Sequence, residues 1–162
     1  MVSIQRQKRG YLLVSTLRVP RPIEQVFEFF ADARGLDQLT PAYLRFEILT
    51  PDPIAVGPGV LLDYRLRIHG LPVRWQSEIT VWDPPHRFVD EQRKGPYRWW
   101  IHEHRFVPKH GDTDVVDRVH YGVPGGALTH GLFIARDLRA IFEYRAARLR
   151  RLFGSAAGPD AD

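Results

Sequence analysis

Residues 70–106 read GLPVRWQSEITVWDPPHRFVDEQRKGPYRWWIHEHRF, and this stretch decides the fold. It contains three segments rich in β-branched and aromatic residues, a composition typical of strands. Pro84-Pro85 and Gly95-Pro96 separate the segments, and such short turns favour antiparallel pairing between consecutive strands. The stretch therefore predicts three strands of one antiparallel meander, at 73–82, 87–93 and 97–107.

Further strands are predicted on both sides of this stretch. Segments rich in leucine and β-branched residues, bounded by proline or glycine, lie at 11–19, 44–49, 60–68 and 115–123. The chain therefore contains about seven predicted strands. Short loops between consecutive strands favour a single antiparallel sheet.

Helical spacing occurs in two other places. After the first predicted strand, Pro22 suits a helix start, because its missing N–H needs no partner there. Apolar residues then recur three and four apart up to Gly35, which separates this helix from a short second one. Near the C-terminus a long amphipathic helix is predicted from a longer series of the same spacing. Its recurring positions are Leu138, Ile141, Phe142, Arg145, Leu149 and Leu152.

These elements predict an α+β fold with one domain at 1–153, followed by a disordered tail at 154–162. The two short helices follow the first strand, and the long helix can bury its apolar stripe only against the sheet. We therefore expect this helix to lie across the concave face of a curved antiparallel sheet. One helix need not fill that face, so a cavity between helix and sheet is expected.

Three segments carry a resemblance to a known superfamily. They are STLRVPRPIEQVFEFFADARGLDQLTP at 15–41, the stretch at 70–106 quoted above, and IFEYRAARLRRLF at 141–153. Together they resemble a bacterial subgroup of the START-like, or SRPBCC, superfamily, which includes polyketide cyclases/dehydrases and lipid-transfer proteins. The resemblance covers residues 10–153 and implies the helix-grip fold. It specifies the fold better than the function, because no catalytic signature is general in that subgroup.

Composition narrows the classes of function. The formal net charge is +4, but the arginines are scattered and are densest in the final helix, which indicates a solvated face rather than a nucleic-acid partner. The absence of cysteine excludes disulfides and thiolate metal sites. No apolar run approaches the roughly 20 residues of a membrane span, and residues 1–10 lack the apolar core of a signal peptide. A cytoplasmic protein is predicted.

The segment 99–106, WWIHEHRF, is the most informative for function. Alternate side chains of a strand share a face, so Trp100, His102, His104 and Phe106 are predicted to point together. The aromatic residues at both ends favour the inside of the sheet for this face. Two histidines are thereby placed within an apolar interior.

The turn that follows sets the register of the next strand. With a four-residue loop at 109–112, His104 lies opposite Asp117 and Trp100 lies opposite Tyr121. This register pairs histidine with aspartate and aromatic with aromatic, which favours it over a one-residue slip.

A similar count across the turn at 94–96 extends the inner face to a third strand. It places Phe88, Asp90 and Gln92 on the same side as the two histidines. A bulge near Gly95 would reverse this assignment.

The predicted ligand-binding residues lie on this inner face or on the aromatic walls beside it. They are Tyr64, Trp75, Asp90, Gln92, Trp100, His102, His104, Asp117 and Tyr121. A buried histidine–aspartate pair can satisfy its own polar atoms and orient a ligand, or it can act in acid–base catalysis, with His102, His104 and Asp117 as the candidates. His-x-His also presents two metal ligands, but only Asp90 or Asp117 could supply a third. No metal and no cofactor is therefore predicted.

Three functions remain open at this point. The leading one is binding of a small hydrophobic or lipid-like ligand in the cavity, since apolar walls with a few polar groups typify such sites. The alternative is a cofactor-independent cyclase or dehydratase acting on a polyketide-like or aromatic substrate. The third is a protein-interaction module, which predicts a shallow closed groove and a large exposed apolar patch. Either a monomer or a homodimer is expected.

Overall fold

The computed structural model describes residues 2–154, and within that range the strands form one antiparallel sheet of eight. Its spatial order is β1-β2-β8-β7-β6-β5-β4-β3. The strands are β1 Val2–Arg6, β2 Tyr11–Val19, β3 Glu47–Ile48, β4 Leu61–Ile68, β5 Leu71–Asp83, β6 Arg87–Lys94, β7 Trp99–Lys109 and β8 Asp112–Gly122. From β3 to β8 each strand lies beside its neighbours in sequence, which confirms the predicted meander. Beyond Gly154, the predicted tail lies outside the described residues.

Helices occupy the connection between β2 and β3 and the C-terminal part of the chain. The helices α1 Ile23–Ala31 and α2 Ala33–Gln38 follow β2, and a 3₁₀ turn at Ala42–Leu44 precedes β3. The C-terminal helical run comprises α3 Gly126–Thr129, a wide π turn at His130–Ile134 and α4 Ala135–Phe153. In the wide turn, the N–H of Ala135 donates to the carbonyl of His130, five residues back.

The register between β7 and β8 matches the prediction. His104 pairs with Asp117 and Trp100 pairs with Tyr121. The loop has two residues rather than four, because Lys109 and Asp112 also pair. His110 at φ 51 and its neighbouring glycine at φ 92 both adopt the positive φ that a tight hairpin turn requires. The loop is shorter by one residue on each side, so the residues of β7 and β8 still pair as predicted.

Two details of the prediction were wrong. The N-terminal strand β1 was missed, so the sheet has eight strands rather than seven and the two short helices follow its second strand. Its sequence, VSIQR, alternates two half-buried apolar residues with exposed polar ones, and the strand pairs with β2. The strand predicted at 44–49 is reduced to β3, since Arg45 adopts a left-handed conformation at φ 45 directly after the 3₁₀ turn.

The buried apolar residues form two clusters under α4. One is centred on α1 and includes Val26, Phe106 and Leu149. The other includes Tyr121 and Phe142. In the described part of the chain, no helix combines the length and apolar character needed to cross a membrane. The two clusters are separate because polar side chains lie between them, and these form the candidate site.

Candidate functional site: a buried histidine–aspartate cluster beside an apolar cavity

Four buried or nearly buried polar residues from three elements of the fold meet under α4. The alternation of β7 turns His102 and His104 inward, and both are buried. Asp117 of β8 lies opposite His104 in the sheet register, and the helix α4 contributes Arg145 from above. His104 stacks on Phe88 of the first apolar cluster, at 4.2 Å between ring centroids, so the polar group lies against apolar walls.

Asp117 joins the other three through its carboxylate. Its Oδ1 lies 3.0 Å from Nε2 of His102 and 3.2 Å from Nδ1 of His104. Arg145 donates from Nε to Oδ2 and from Nη2 to Oδ1, each at 3.1 Å. An ionised carboxylate can only accept, so His102 carries its hydrogen on Nε2. A guanidinium can only donate, so Nδ1 of His104 accepts from Nη2 of Arg145 at 3.3 Å. Asp117 and Arg145 together therefore fix the orientation of both rings.

Asp90, from the neighbouring strand β6, lies on the other side of the imidazoles. Its Oδ2 is 2.8 Å from Nε2 of His104 but 3.8 Å from Nδ1 of His102, which is beyond hydrogen-bonding distance. The two rings lie 3.7 Å apart between centroids. Thus His104 is bonded at both nitrogens, whereas His102 is bonded at one and turns its second nitrogen toward Asp90.

Burial and charge act in opposite directions on the two carboxylates. Burial alone raises the pKa of Asp117, but Arg145 and the two neighbouring histidines outweigh it and hold that pKa well below the usual range. Asp90 behaves in the same way, because its hydrogen bond from His104 and the positive charges nearby offset its burial and lower its pKa. Both carboxylates are therefore stabilised in the ionised form.

The pKa values of the two histidines are shifted in opposite directions. Burial and the proximity of His104 lower the pKa of His102, although Asp117 partly opposes them. Burial also disfavours the charged form of His104, but the neighbouring carboxylates of Asp117 and Asp90 outweigh that effect and raise its pKa. Of the two, His104 holds a second proton more readily. Acid–base catalysis often depends on two neighbouring groups whose pKa values are shifted in opposite directions.

A hydrogen-bonded chain connects the cluster to an aromatic wall. The hydroxyl of Ser77 lies 3.4 Å from Asp90 and accepts from Nε1 of Trp75 at 3.1 Å. The hydroxyl of Tyr64 lies 3.1 Å from the same oxygen. The rings of Tyr64 and Trp75 stack with their centroids 5.9 Å apart, so the two side chains hold each other in place. The polar cluster therefore extends to the surface of a cavity.

Two cavities adjoin the cluster in the described structure. The larger has a volume of about 750 Å³ and lies under the first half of α4. Its walls are mainly apolar and include Leu44, Phe46, Leu66, Trp75, Trp100 and Phe142. The smaller, of about 90 Å³, lies beside Asp90 and His104. Residues that line both are Leu36, Leu39, Tyr64, His102 and Arg145.

The larger cavity reaches exposed residues of the hairpin β4–β5 and of the start of the C-terminal helical run, and we call this region its mouth. His69 of the hairpin and Asp137 of α4 form an ion pair at 2.7 Å, and both line the cavity. Phe133, in the wide turn, is half exposed, and its ring meets the ring of His69 edge to face, with 6.2 Å between the ring centroids. The hairpin and the helix are thus joined at this mouth.

The structure brings together most of the residues predicted for the site. Asp90, His102, His104 and Asp117 form the cluster described above, and the aromatic residues Tyr64, Trp75 and Trp100 line the larger cavity. Their roles stay predictions, because position alone does not establish function.

Two of the predicted residues lie elsewhere. Tyr121 lies outside the lining of both cavities and bonds to His130 at 2.9 Å. Gln92 also lies outside both linings, since its side chain bonds to the backbone of Tyr97. Gln92 pairs with Ser77, which lines the smaller cavity, and a role for Gln92 in ligand binding stays a prediction.

Sequence analysis missed Arg145 as a site residue. The signal was present, because this arginine interrupts an otherwise apolar series at positions 138, 141, 142 and 149. A charged residue on the buried stripe of a helix needs a buried partner. Here the partner is Asp117, and the guanidinium also lies 5.1 Å from the centre of the Phe30 ring.

The comparisons with known proteins agree with this architecture. A family model described as polyketide cyclase/dehydrase and lipid transport matches residues 19–150. A search of curated proteins finds no match.

Solved structures share the fold at low sequence identity. Protein Ms6760 from Mycobacterium smegmatis has a TM-score of 0.67 at 17% identity, covering 94% of this chain and 97% of that one. A START superfamily protein from the same organism has a TM-score of 0.66 at 14% identity, covering 88% and 99%. A protein from Arthrobacter aurescens has a TM-score of 0.69 at 12% identity, covering 99% and 98%. These similarities confirm the predicted helix-grip fold.

Proposed function

This chain belongs to the polyketide cyclase/dehydrase and lipid transport family, and we propose that it binds a small, mainly apolar molecule in its larger cavity. The single observation that carries the proposal is the cavity itself, with about 750 Å³ of space and mainly apolar walls. That volume falls in the range typical of small-molecule sites, which are about 300–1,000 Å³. The interaction-module alternative predicted a shallow closed groove instead.

The distribution of polar groups gives the ligand an orientation. At one end of the cavity lie His102 and Arg145, which belong to the buried cluster. At the other end the cavity opens between His69 and the C-terminal helical run. A few convergent polar groups in an apolar site fix how a ligand sits. The bound molecule therefore places a polar group at His102 and its apolar body toward the mouth.

The test compares ligand binding in two matched variants of β4. Leu66 is buried and lines the cavity, whereas Leu61, on the same strand, faces outward and is 46% exposed. In Leu66→Trp the added ring fills part of the cavity, so we expect affinity for an apolar fluorescent probe to fall at least tenfold. In Leu61→Trp the affinity should stay within twofold. Titration of the probe with each purified protein measures both.

Either of two results would overturn the proposal. The wild-type protein could bind no member of a panel of apolar probes, quinones, sterols and aromatic polyketide-like compounds. Alternatively, the two tryptophan variants could bind equally well while both remain folded by circular dichroism. Native mass spectrometry of protein from its own host then identifies the compound that a positive result implies.

A second candidate function is cofactor-independent cyclisation or dehydration of such a ligand. It is favoured by the second nitrogen of His102, which is turned toward Asp90 at 3.8 Å and lies where cavity and cluster meet. A ring held by Asp117 in one orientation can accept a proton from a carbon or hydroxyl of the ligand. His102→Ala should then abolish turnover of a bound substrate, whereas in a carrier it only weakens binding.

Three expectations from the sequence stay predictions. They concern the cytoplasmic location, the monomeric or homodimeric state and the absence of a nucleic-acid partner. Size-exclusion chromatography with light scattering measures the second of these directly.

A further inference from the structure

We propose that the smaller cavity is a site for one divalent transition-metal ion, of the kind that prefers imidazole and carboxylate ligands, such as Zn²⁺. The ligands are Nδ1 of His102, Nε2 of His104 and a carboxylate oxygen of Asp90. This goes beyond ligand binding in the larger cavity. It also reverses the prediction from sequence, which found no secure third ligand because the position of Asp90 depended on a turn.

The donor atoms are already gathered at one point. The three atoms all lie within 4.8 Å of one another. The carboxylate oxygen is 2.8 Å from Nε2 of His104 and 3.8 Å from Nδ1 of His102. Zinc binds nitrogen and oxygen at about 2.0–2.2 Å, so an ion between the three needs only small side-chain adjustments. Two histidines, one carboxylate and an open position form a common set for such metals.

The orientation of both imidazoles is the strongest argument. A metal-bound histidine usually donates its other N–H to a carboxylate, which fixes the ring. Here Asp117 accepts from Nε2 of His102 at 3.0 Å and lies 3.2 Å from Nδ1 of His104, which accepts from Arg145 at 3.3 Å. Each ring is thereby held with its remaining nitrogen toward Asp90. One outer carboxylate and the guanidinium paired with it thus orient two ligands that use different nitrogens.

Charge and space are also compatible with a cation. Two carboxylates, Asp90 and Asp117, face a single guanidinium, that of Arg145, so neutral imidazoles leave one surplus negative charge in a buried place. An ion replaces the hydrogen atom that His104 shares with Asp90. The adjoining volume of about 90 Å³ leaves room for one or two water molecules on the open side.

The test uses the full chain after treatment with a chelator, with no apolar ligand present. Calorimetric titration with Zn²⁺ and absorption spectroscopy with Co²⁺ should each show one ion per chain. Asp90→Asn and His104→Gln should weaken binding by about tenfold or more. The control is His69→Ala, which removes the exposed histidine of another histidine–aspartate pair and should leave the affinity unchanged.

X-ray absorption on zinc-loaded wild-type protein provides a test that does not depend on the folding of variants. Two imidazole ligands and oxygen donors are the expected result. The proposal is overturned if the wild-type protein binds no ion, if Asp90→Asn and His104→Gln bind as tightly as wild type, or if only His69→Ala reduces binding. Probe binding in the presence of chelator tests the larger cavity separately, so either proposal can fail without the other.

Discussion

Two histidine–aspartate contacts in this molecule have similar lengths and very different surroundings. His69 and Asp137 lie 2.7 Å apart at the mouth of the cavity, with side chains 60% and 37% exposed. His102 and Asp117 lie 3.0 Å apart in the interior, with side chains 9% and 4% exposed. Exposed ion pairs contribute about 0–1 kcal/mol, whereas removing one partner of a buried pair costs about 3–5 kcal/mol. The surroundings of a pair, and not the distance between its atoms, therefore decide how much free energy of unfolding is lost when one partner is removed.

The largest expected effect is that of Asp117→Ala. The substitution leaves the guanidinium of Arg145 and the imidazole of His102 buried without their shared acceptor. We expect the free energy of unfolding to fall by about 3–5 kcal/mol, measured by urea denaturation followed by circular dichroism.

The matched control for this variant lies three residues away on the same strand. Asp114 pairs with Arg18 at 2.7 Å, and the side chain of that arginine is 46% exposed. Asp114→Ala should therefore cost at most about 1 kcal/mol. Equal losses for Asp114→Ala and Asp117→Ala would show that burial does not separate the two kinds of pair.

An intermediate effect is expected at His130, which is buried and has no carboxylate partner in the described structure. Its ring stacks on Tyr11 at 3.4 Å and its Nε2 bonds to Tyr121, while burial lowers the pKa of the imidazole below the usual 6.5. Because the folded-state pKa is depressed, the unfolded chain takes up the proton first as the pH falls. The stabilising contribution is therefore complete above about pH 6.5 and is lost progressively below it.

The measurement compares urea denaturation at pH 7.5 and pH 5.5 in wild type and in His130→Phe. Phenylalanine retains a ring to stack on Tyr11 but does not titrate. We expect wild type to lose more stability than the variant on acidification, while the other histidines contribute equally to both proteins. The same loss in both would mean that His130 does not titrate in this range.

The smallest effect is expected at the exposed pair. A double-mutant cycle of His69→Ala and Asp137→Ala should give an interaction energy of about 1 kcal/mol or less, further reduced in 1 M salt. A coupling of about 3 kcal/mol would contradict the argument, because the pair would then behave as a buried one. Thermal or urea unfolding of the four proteins measures it.

The fold was largely predictable because its information is local. Alternation of apolar and polar residues fixed the limits of most strands within two residues, and the short turn after β7 fixed which residue lies opposite His104. The strand β1 was not predictable on the same grounds. It is an edge strand in which only two apolar residues, Val2 and Ile4, alternate with polar ones, so its signal is weaker than that of the longer strands.

The site was less predictable because it depends on tertiary placement. Arg145 belongs to the cluster only because α4 crosses the sheet at the height of Asp117, and no spacing in the sequence specifies that height. The volumes of the cavities likewise depend on the rotamers of Trp75 and Trp100, which meet edge to face at 5.5 Å. Composition can indicate apolar walls, but not the space between them.

The wide turn at His130–Ile134 changes the direction in which the side chains of α3 point relative to those of α4. A bond that spans five residues instead of four accommodates one residue more than a regular helix. Each residue of a helix corresponds to about 100° of rotation. Deleting one residue within the turn would thus swing α3 around its axis relative to α4, and Thr129 would leave the cavity wall that it now helps to form. In this fold, the length of one turn sets which side chains line the cavity.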